Sequence, residues 1–422
     1  MRAPRAPRAP QLESVERRTL RVGFLFNHDH IHQVAHSAPI AFELARSFPD
    51  VAVTLLVAGR EQEEAVRALA HGGLPARCEV QQLHASGPLA WIDPVIGSLL
   101  SFRRLAVLGS NAAQLDRFDA LVVPEKTTLR LRTHYGARRV KLIHTRHGAG
   151  DRAVGFDAES RHFDLALLSG EKIRARLAAA GALPPRFAIV GYPKFDAVDP
   201  DRQLPHFFAN HRPTVLYNPH FSPHYSSWYD AGREILEFFH RSRDYNLIFA
   251  PHVMLFRRRL QLAVEKLALR WVPGVPRRYA ECEHIHVDLG SAYSTDMTYT
   301  QAADVYLGDV SSQVCEFIAR PRPCVFANPR RVPWQGDPSY AMWRLGTVFE
   351  RVEDLPAALE RAIHDQPLIR STQEAYARDT FDLREQPSSR RAAQAIHAFL
   401  TTGAAEAAGA SSAPRDLRAG RD

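Results

Sequence analysis

Short apolar runs rich in Val, Leu and Ile alternate with longer segments whose apolar residues recur at helical spacing. This alternation constrains the fold more than any other feature of the chain. Residues 21–26, 51–57, 121–123 and 140–144 are near-continuous apolar runs, the pattern of strands buried on both faces. Residues 39–47 and 61–70, between the first of them, have the spacing of helices. The repetition predicts parallel sheets with right-handed crossovers, hence an α/β fold. A second series begins after Pro213, with candidate strands at 215–217, 246–250, 284–287, 305–307 and 324–327. Residues 196–212, rich in Pro and Asp, read as a linker.

A chain of 422 residues suits two domains better than one core. The expected division is a disordered basic tail over 1–18, a Rossmann-like domain over 19–195, the linker 196–212, a second Rossmann-like domain over 213–385, a last helix over 386–401 that crosses back, and a disordered tail over 402–422. The opening repeats Arg-Ala-Pro three times and the end is Ala, Gly, Ser and Arg; neither buries enough apolar surface to offset chain entropy. Two such domains place a ligand cleft between them, at the carboxyl ends of the strands. No short-period internal repeat is present.

Composition narrows the class. The apolar fraction is 45% and the charged fraction 24%, as in soluble globular proteins. No run approaches the roughly 18 apolar residues of a membrane span; the richest stretch, 245–256, carries Pro251 and His252. The basic start lacks the apolar core of a secretory signal, so a cytoplasmic protein is expected. Cys78, Cys282, Cys315 and Cys324 form no CxxC pair, which fits a reduced compartment and small buried hydrophobes. The net charge of +8 has two readings: an arginine-rich solvated surface, or an anionic partner such as a nucleotide, a phosphate polymer or the inner leaflet of a membrane. No nucleic-acid-binding module accompanies the basic runs, so nucleic acid is not an expected partner. The runs Arg257-Arg258-Arg259 and 130–139 are most simply solvated surface, with lipid or polymer contact as the sharper reading.

Four segments carry candidate chemistry. Residues 303–317 read as a buried strand, a tight turn at Gly308-Asp309 and a helix opening at Ser311-Ser312. A helix N-terminus offers unpaired N–H groups to a phosphate, and serine hydroxyls add donors. Glu316, four residues past Ser312, would accept from ribose hydroxyls; the plain alternative is that Asp309 or Ser311 only caps the helix. Residues 140–148 read as a strand emptying into a loop that leaves His147 before Gly148 at a strand's carboxyl end, where a histidine can take a proton from an attacking hydroxyl. The alternative is a histidine that only shapes the loop. His252 follows another strand, in Phe249-Ala250-Pro251-His252, and reads as a phosphate contact. His28, His30 and His32, with His36 nearby, alternate along an extended stretch; they read as an acceptor-contacting loop, with a metal site as the weaker alternative.

These segments together resemble a known family. Asp-Val-Ser-Ser at 309–312, Glu316 and Arg320-Pro321-Arg322-Pro323-Cys324-Val325-Phe326 resemble the Asp-Tyr-Ser-Ser…Asp…Arg/Lys-Pro…Phe signature of the CDP-glycerol glycerophosphotransferases of wall and capsule polymer synthesis. Thr145-Arg146-His147-Gly148-Ala149-Gly150-Asp151-Arg152 resembles the family's Thr-Trp-His-Gly-Thr-Pro-x-Lys. Gly191-Tyr192-Pro193-Lys194-Phe195-Asp196 resembles Gly-Tyr-Pro-Arg-x-Asp, and Val215-Leu216-Tyr217-Asn218-Pro219 resembles Leu-Tyr-Ala-Pro. The motifs run in the family's order from about Thr145 to Phe326. Val310, Gly308, Glu316, Arg146 and Ala149-Gly150 depart from the family's residues.

The resemblance implies a GT-B fold, with the acceptor bound by the first domain and the nucleotide by the second. It implies His147 as catalytic base, and Asp309, Ser311, Ser312, Glu316, His252, Arg152, Gly191, Tyr192, Pro193 and Asn218 at the donor's nucleotide and diphosphate. His28, His30 and His32 are the acceptor-loop candidates. No metal or other cofactor is called for. The implied partners are a CDP-linked donor and a polymer or lipid-linked acceptor, with peripheral contact to an anionic membrane. The rival readings are a GT-B glycosyltransferase or sugar-nucleotide epimerase using a UDP-, GDP- or CMP-sugar, and a non-catalytic nucleotide-binding scaffold.

Overall fold

The structure is a computed structural model that describes residues 18–27, 31–85, 102–146, 150, 156–198, 202–263, 268–403 and 405. The first half forms a seven-stranded sheet of β1 (Leu20–Phe26), β2 (Val51–Val57), β3 (Cys78–Gln82), β4 (Ala120–Val123), β5 (Lys141–Thr145), β6 (Leu165–Leu168) and β7 (Phe187–Ile189). Its order is β3-β2-β1-β4-β5-β6-β7, with every pair parallel. The second half contains β8 (Thr214–Asn218), β9 (Asn246–Phe249), an antiparallel hairpin of β10 (Leu260–Ala263) and β11 (Ala268–Trp271), then β12 (Ile285–Val287), β13 (Val305–Gly308), β14 (Cys324–Ala327) and β15 (Thr347–Phe349). Its six-stranded parallel sheet has the order β12-β9-β8-β13-β14-β15. In each sheet the order reverses beside a central strand, between β1 and β4 and between β8 and β13. Ligand crevices of open α/β sheets form at such points.

The central strands are those whose runs are apolar on both faces: Val22, Phe24, Phe26, Leu121 and Val122 in the first sheet, Val215, Leu216, Leu247, Ile248 and Leu307 in the second, all buried. Of the four free cysteines, Cys78, Cys315 and Cys324 are buried and Cys282 is partly buried. Burial pushes the Cys78 thiol up to about 12 and the Cys324 thiol further. Among the described residues no helix is long and apolar enough to cross a membrane.

The chain's last helix, Ser388–Thr402, returns to the first domain. Its Ala392, Ala393, Ile396 and Phe399 join the core formed by Val22, Phe24 and Phe26. Each large apolar side chain buried this way contributes about 1.5–3 kcal/mol. Asp196 seats the helix start by accepting from the Ser389 N–H at 2.6 Å. Gly191, at φ +85°, lets the chain pass beneath it; a Cβ there would lie 2.3 Å from both the Ser388 hydroxyl and the Arg391 guanidinium. The preceding helix, Gln366–Phe381, buries Tyr376 and Phe381 in the second domain's core, while the Tyr376 hydroxyl accepts from Lys172 of the first at 3.0 Å.

Candidate functional site

The carboxyl ends of β8, β9 and β13 bring Asn218, His220, His252 and the 309–312 turn together. Gly308 is the last residue of β13, paired with Asn218, so the turn begins one residue later than the sequence suggested. Asp309 is fully buried and accepts from the His220 N–H at 2.9 Å, the Ser227 N–H at 2.6 Å, the Ser227 hydroxyl at 2.9 Å and its neighbour's Val310 N–H at 2.7 Å. Burial pushes its carboxyl up to about 6 against the pull of those donors. Asp309 thus fixes the 219–227 loop, and its side chain makes no cap to the helix that follows.

That helix, Gln313–Phe317, starts after Ser312, one or two residues later than the sequence suggested. Ser311 is fully buried and its hydroxyl accepts from the Gln313 N–H at 3.4 Å. Ser312 is half-buried, so it is the serine of the pair with access to a ligand. Asn218 is buried too: its amide donates to the Ala250 carbonyl at 2.6 Å and its oxygen accepts from the Tyr306 hydroxyl at 3.5 Å, tying β8 to the end of β9.

His252 and His220 form a pair, ring centroids 5.4 Å apart. Each accepts at Nδ1 from a backbone N–H two residues on: Met254 to His252 at 3.3 Å and Ser222 to His220 at 2.9 Å. A neutral ring held this way carries its proton on Nε2, the form that donates to an anionic oxygen. The sequence reading singled out His252 and passed over His220. The signal was there, since both follow a strand by a proline and lie where α/β ligand sites form. Ser222, whose buried hydroxyl has no partner, was also passed over.

Glu316 is placed differently from the ribose contact the sequence suggested. Its carboxylate is buried, accepts from the Tyr192 hydroxyl at 2.9 Å, and receives Lys194 Nζ at 2.7 and 2.8 Å. This is a tie between the domains. Tyr192 is buried beneath it, and its phenol is held well above the usual range by burial and by the Glu316 charge. Pro193 opens the short helical turn Pro193–Ala197 and is buried. Gly191 meets the last helix. The Gly-Tyr-Pro motif therefore lies at the join of the two domains.

From the first domain, β5 leads to Arg146, which stands 4.4 Å over the Phe156 ring, with Arg176 4.3 Å from the same ring. Burial lowers the Arg146 guanidinium to about 10. His147 and Arg152 lie outside the described residues, but Gly150, between them, is placed against the second domain. A Cβ on Gly150 would lie 3.1 Å from the Ser312 Cβ. Gly150, beyond the end of β5, thus lies at the serine turn. His28 and His30 also lie outside the described residues; His32 belongs to the turn Ile31–His36, with its side chain outside them. His36 is buried with its ring 5.1 Å from Tyr192. Asn27, at the end of β1, and Gln33 are buried, and the Asn27 amide has no partner at either atom. Among the described residues no three His, Cys, Asp or Glu side chains gather as a metal site.

The arrangement offers hydroxyl and imidazole donors at strand ends and one half-buried serine, with Gly150 of the other domain opposite it. Such a set suits an anionic, oxygen-rich ligand lying between the sheets. No protein-family model and no curated protein matches the sequence. Solved structures do match in fold. A UDP-GlcNAc 2-epimerase from Neisseria meningitidis is 13% identical, with a TM-score of 0.55 over 90% of this chain and 99% of its own. The wall teichoic acid polymerase TagF is 13% identical, with a TM-score of 0.55 over 90% and 88%. A UGT transferase from Siraitia grosvenorii in complex with UDP is 13% identical, with a TM-score of 0.56 over 90% and 99%. The two parallel-sheet domains have the GT-B fold shared by these proteins.

Proposed function

We propose that the chain is a nucleotide-dependent transferase that moves glycerol phosphate, or a similar polyol phosphate, from a CDP-linked donor to an acceptor hydroxyl. The observation that carries this reading is the approach of Gly150 to Ser312. Gly150, which follows His147 in the Thr-x-His-Gly segment, stands against the turn of the Asp-x-Ser-Ser motif. A transfer between two substrates needs such a meeting, because base and donor phosphate must face one reacting centre.

On this reading the acceptor oxygen attacks the β-phosphorus in line while His147 takes its proton. A bond from the acceptor oxygen to phosphorus forms as the bond to the bridging oxygen breaks, and CMP leaves with the electron pair. Ser312, with His252 and His220 donating from Nε2, stabilises the charge on the diphosphate oxygens. Asp309 acts through the loop it holds, and Asn218 through the strand ends it joins. The acceptor is a polymer or lipid-linked hydroxyl.

The similarity to UDP-N-acetylglucosamine 2-epimerases supports a second reading, a sugar-nucleotide enzyme with the same cleft. Purified protein incubated separately with CDP-glycerol and UDP-N-acetylglucosamine, with and without a polyol-phosphate acceptor, separates them. Acceptor-dependent CMP release supports the transferase; turnover of only the UDP-sugar replaces it with the second reading.

A further inference from the structure

The hairpin of β10 and β11 stands apart from both sheets and has two unlike faces. Side chains alternate across a strand, and directly paired residues share a face. Gln261 pairs with Arg270, and this face is tied to the domain: Gln261 is buried and donates to the Met254 carbonyl at 2.7 Å, while the exposed Arg270 donates to Asp230 at 2.9 Å. Leu260 pairs with Trp271, and Leu269 lies two residues from Trp271, so all three share the opposite face. They are 46%, 58% and 61% exposed for Leu260, Trp271 and Leu269 respectively. Three of the eight large apolar side chains exposed among the described residues therefore sit on one small ribbon. Arg257, Arg258 and Arg259, all exposed, lead into it.

We propose that this outer face docks on a membrane surface bearing anionic lipid. Exposed Leu and Trp beside a run of Arg match both layers of such a surface, the acyl boundary and the negative headgroups. The net charge of +8 acts in the same direction. Only side chains need enter, because the two paired strands satisfy each other's inner hydrogen bonds.

The position gives docking a consequence for the cleft. Gln261 is bound to the 252–255 segment that begins with His252, and Asp230 joins Arg270 to Arg330 at 2.6 Å. Arg330 in turn donates to the Ser226 carbonyl at 2.9 Å, in the loop fixed by Asp309. The hairpin is thus linked to the same strand ends that line the cleft. Docking it sets that rim beside the lipid surface, within reach of an acceptor anchored there. The inference rests on the hairpin alone and stands whichever nucleotide is the donor.

The test is sedimentation of the full chain with vesicles of phosphatidylcholine alone and with added phosphatidylglycerol. Wild type should sediment with the anionic vesicles only and be released by salt. Leu269→Ser with Trp271→Ser should lower the partition coefficient about ten-fold or more, the effect expected of losing two inserted apolar side chains. Replacing Arg257, Arg258 and Arg259 by Gln should lower it and remove the salt dependence. Both variants should keep the wild-type melting temperature, since the changed side chains are exposed. Failure of wild type to sediment with anionic vesicles, or equal sedimentation of the Leu269/Trp271 variant, overturns the proposal. A wild-type dimer that the same variant dissociates, without vesicle binding, overturns it in favour of a second copy of the chain.

Discussion

Lys194 and Glu316 form a buried ion pair that joins the two domains, with side-chain exposures of only 7% and 8%. Removing one partner of such a pair leaves an uncompensated charge in a low-dielectric site, which costs about 3–5 kcal/mol. Glu316→Gln should lower unfolding stability by that amount in urea titration. Lys194→Met with Glu316→Leu should recover most of it, because neither charge remains. A Glu316→Gln protein of wild-type stability but weakened nucleotide affinity would give the carboxylate back to the ribose.

Asp309 makes stability depend on pH. Its carboxyl lies at about 6 in the fold against an ordinary 3.8. Between those values the folded state binds more protons than the unfolded one, so stability falls as pH rises from about 4 to about 6 and is level above. At about 1.4 kcal/mol per unit the loss is on the order of 3 kcal/mol. Asp309→Asn should abolish this slope in urea unfolding measured across that range. It should also be less stable than wild type at neutral pH, since an amide cannot accept from every donor that the carboxylate serves. Parallel pH profiles for the two proteins would contradict this account of Asp309.

The two serines should separate. Ser312→Ala should weaken CDP binding by about 1–3 kcal/mol in calorimetry, the cost of a lost hydrogen bond to a charged group. Ser311→Ala should spare affinity and lower stability, because its hydroxyl is buried in the turn. Equal losses of affinity from both would place the ligand deeper than the half-buried Ser312.

How much of this was legible in the sequence depends on what each residue packs against. The central strands announce themselves because both faces are buried, as in Val51–Val57 and Cys324–Ala327, and their bounds match the reading to the residue. The strands left out are short or polar. Cys78–Gln82 has a neighbour on one side only and reads Cys-Glu-Val-Gln-Gln, and Phe187–Ile189 and Thr347–Phe349 have three residues each. Leu165–Leu168 is apolar throughout but only four residues long, too short a run to set a period. In the site, motif spacing shows which residues reach the strand ends but not which way each faces. Ser311 and Ser312 are equivalent by sequence and unlike by burial. Glu316 and Asp309 are acidic residues of one motif, yet one binds Lys194 and the other holds a loop. Their partners lie far away in the chain, where periodicity carries no information.

The proposed mechanism turns on His147. If it is the base that deprotonates the acceptor, His147→Ala should reduce turnover by roughly 10²–10⁴-fold, the usual contribution of general-base catalysis. Donor affinity should survive, because the proposed diphosphate contacts, Ser312, His220 and His252, are on the other domain. Gly150 supplies a control for loop position. Gly150→Val adds atoms where even a Cβ would stand 3.1 Å from the Ser312 Cβ, so it should displace the loop with His147 intact. Both variants should then lose turnover, but only Gly150→Val should also disturb CDP binding, by crowding Ser312. The measurements are initial rate of CMP release, CDP affinity and melting temperature for the three proteins. A stable His147→Ala enzyme with near wild-type turnover would remove His147 from the reaction. The His220–His252 pair would then be the next place to look for the base.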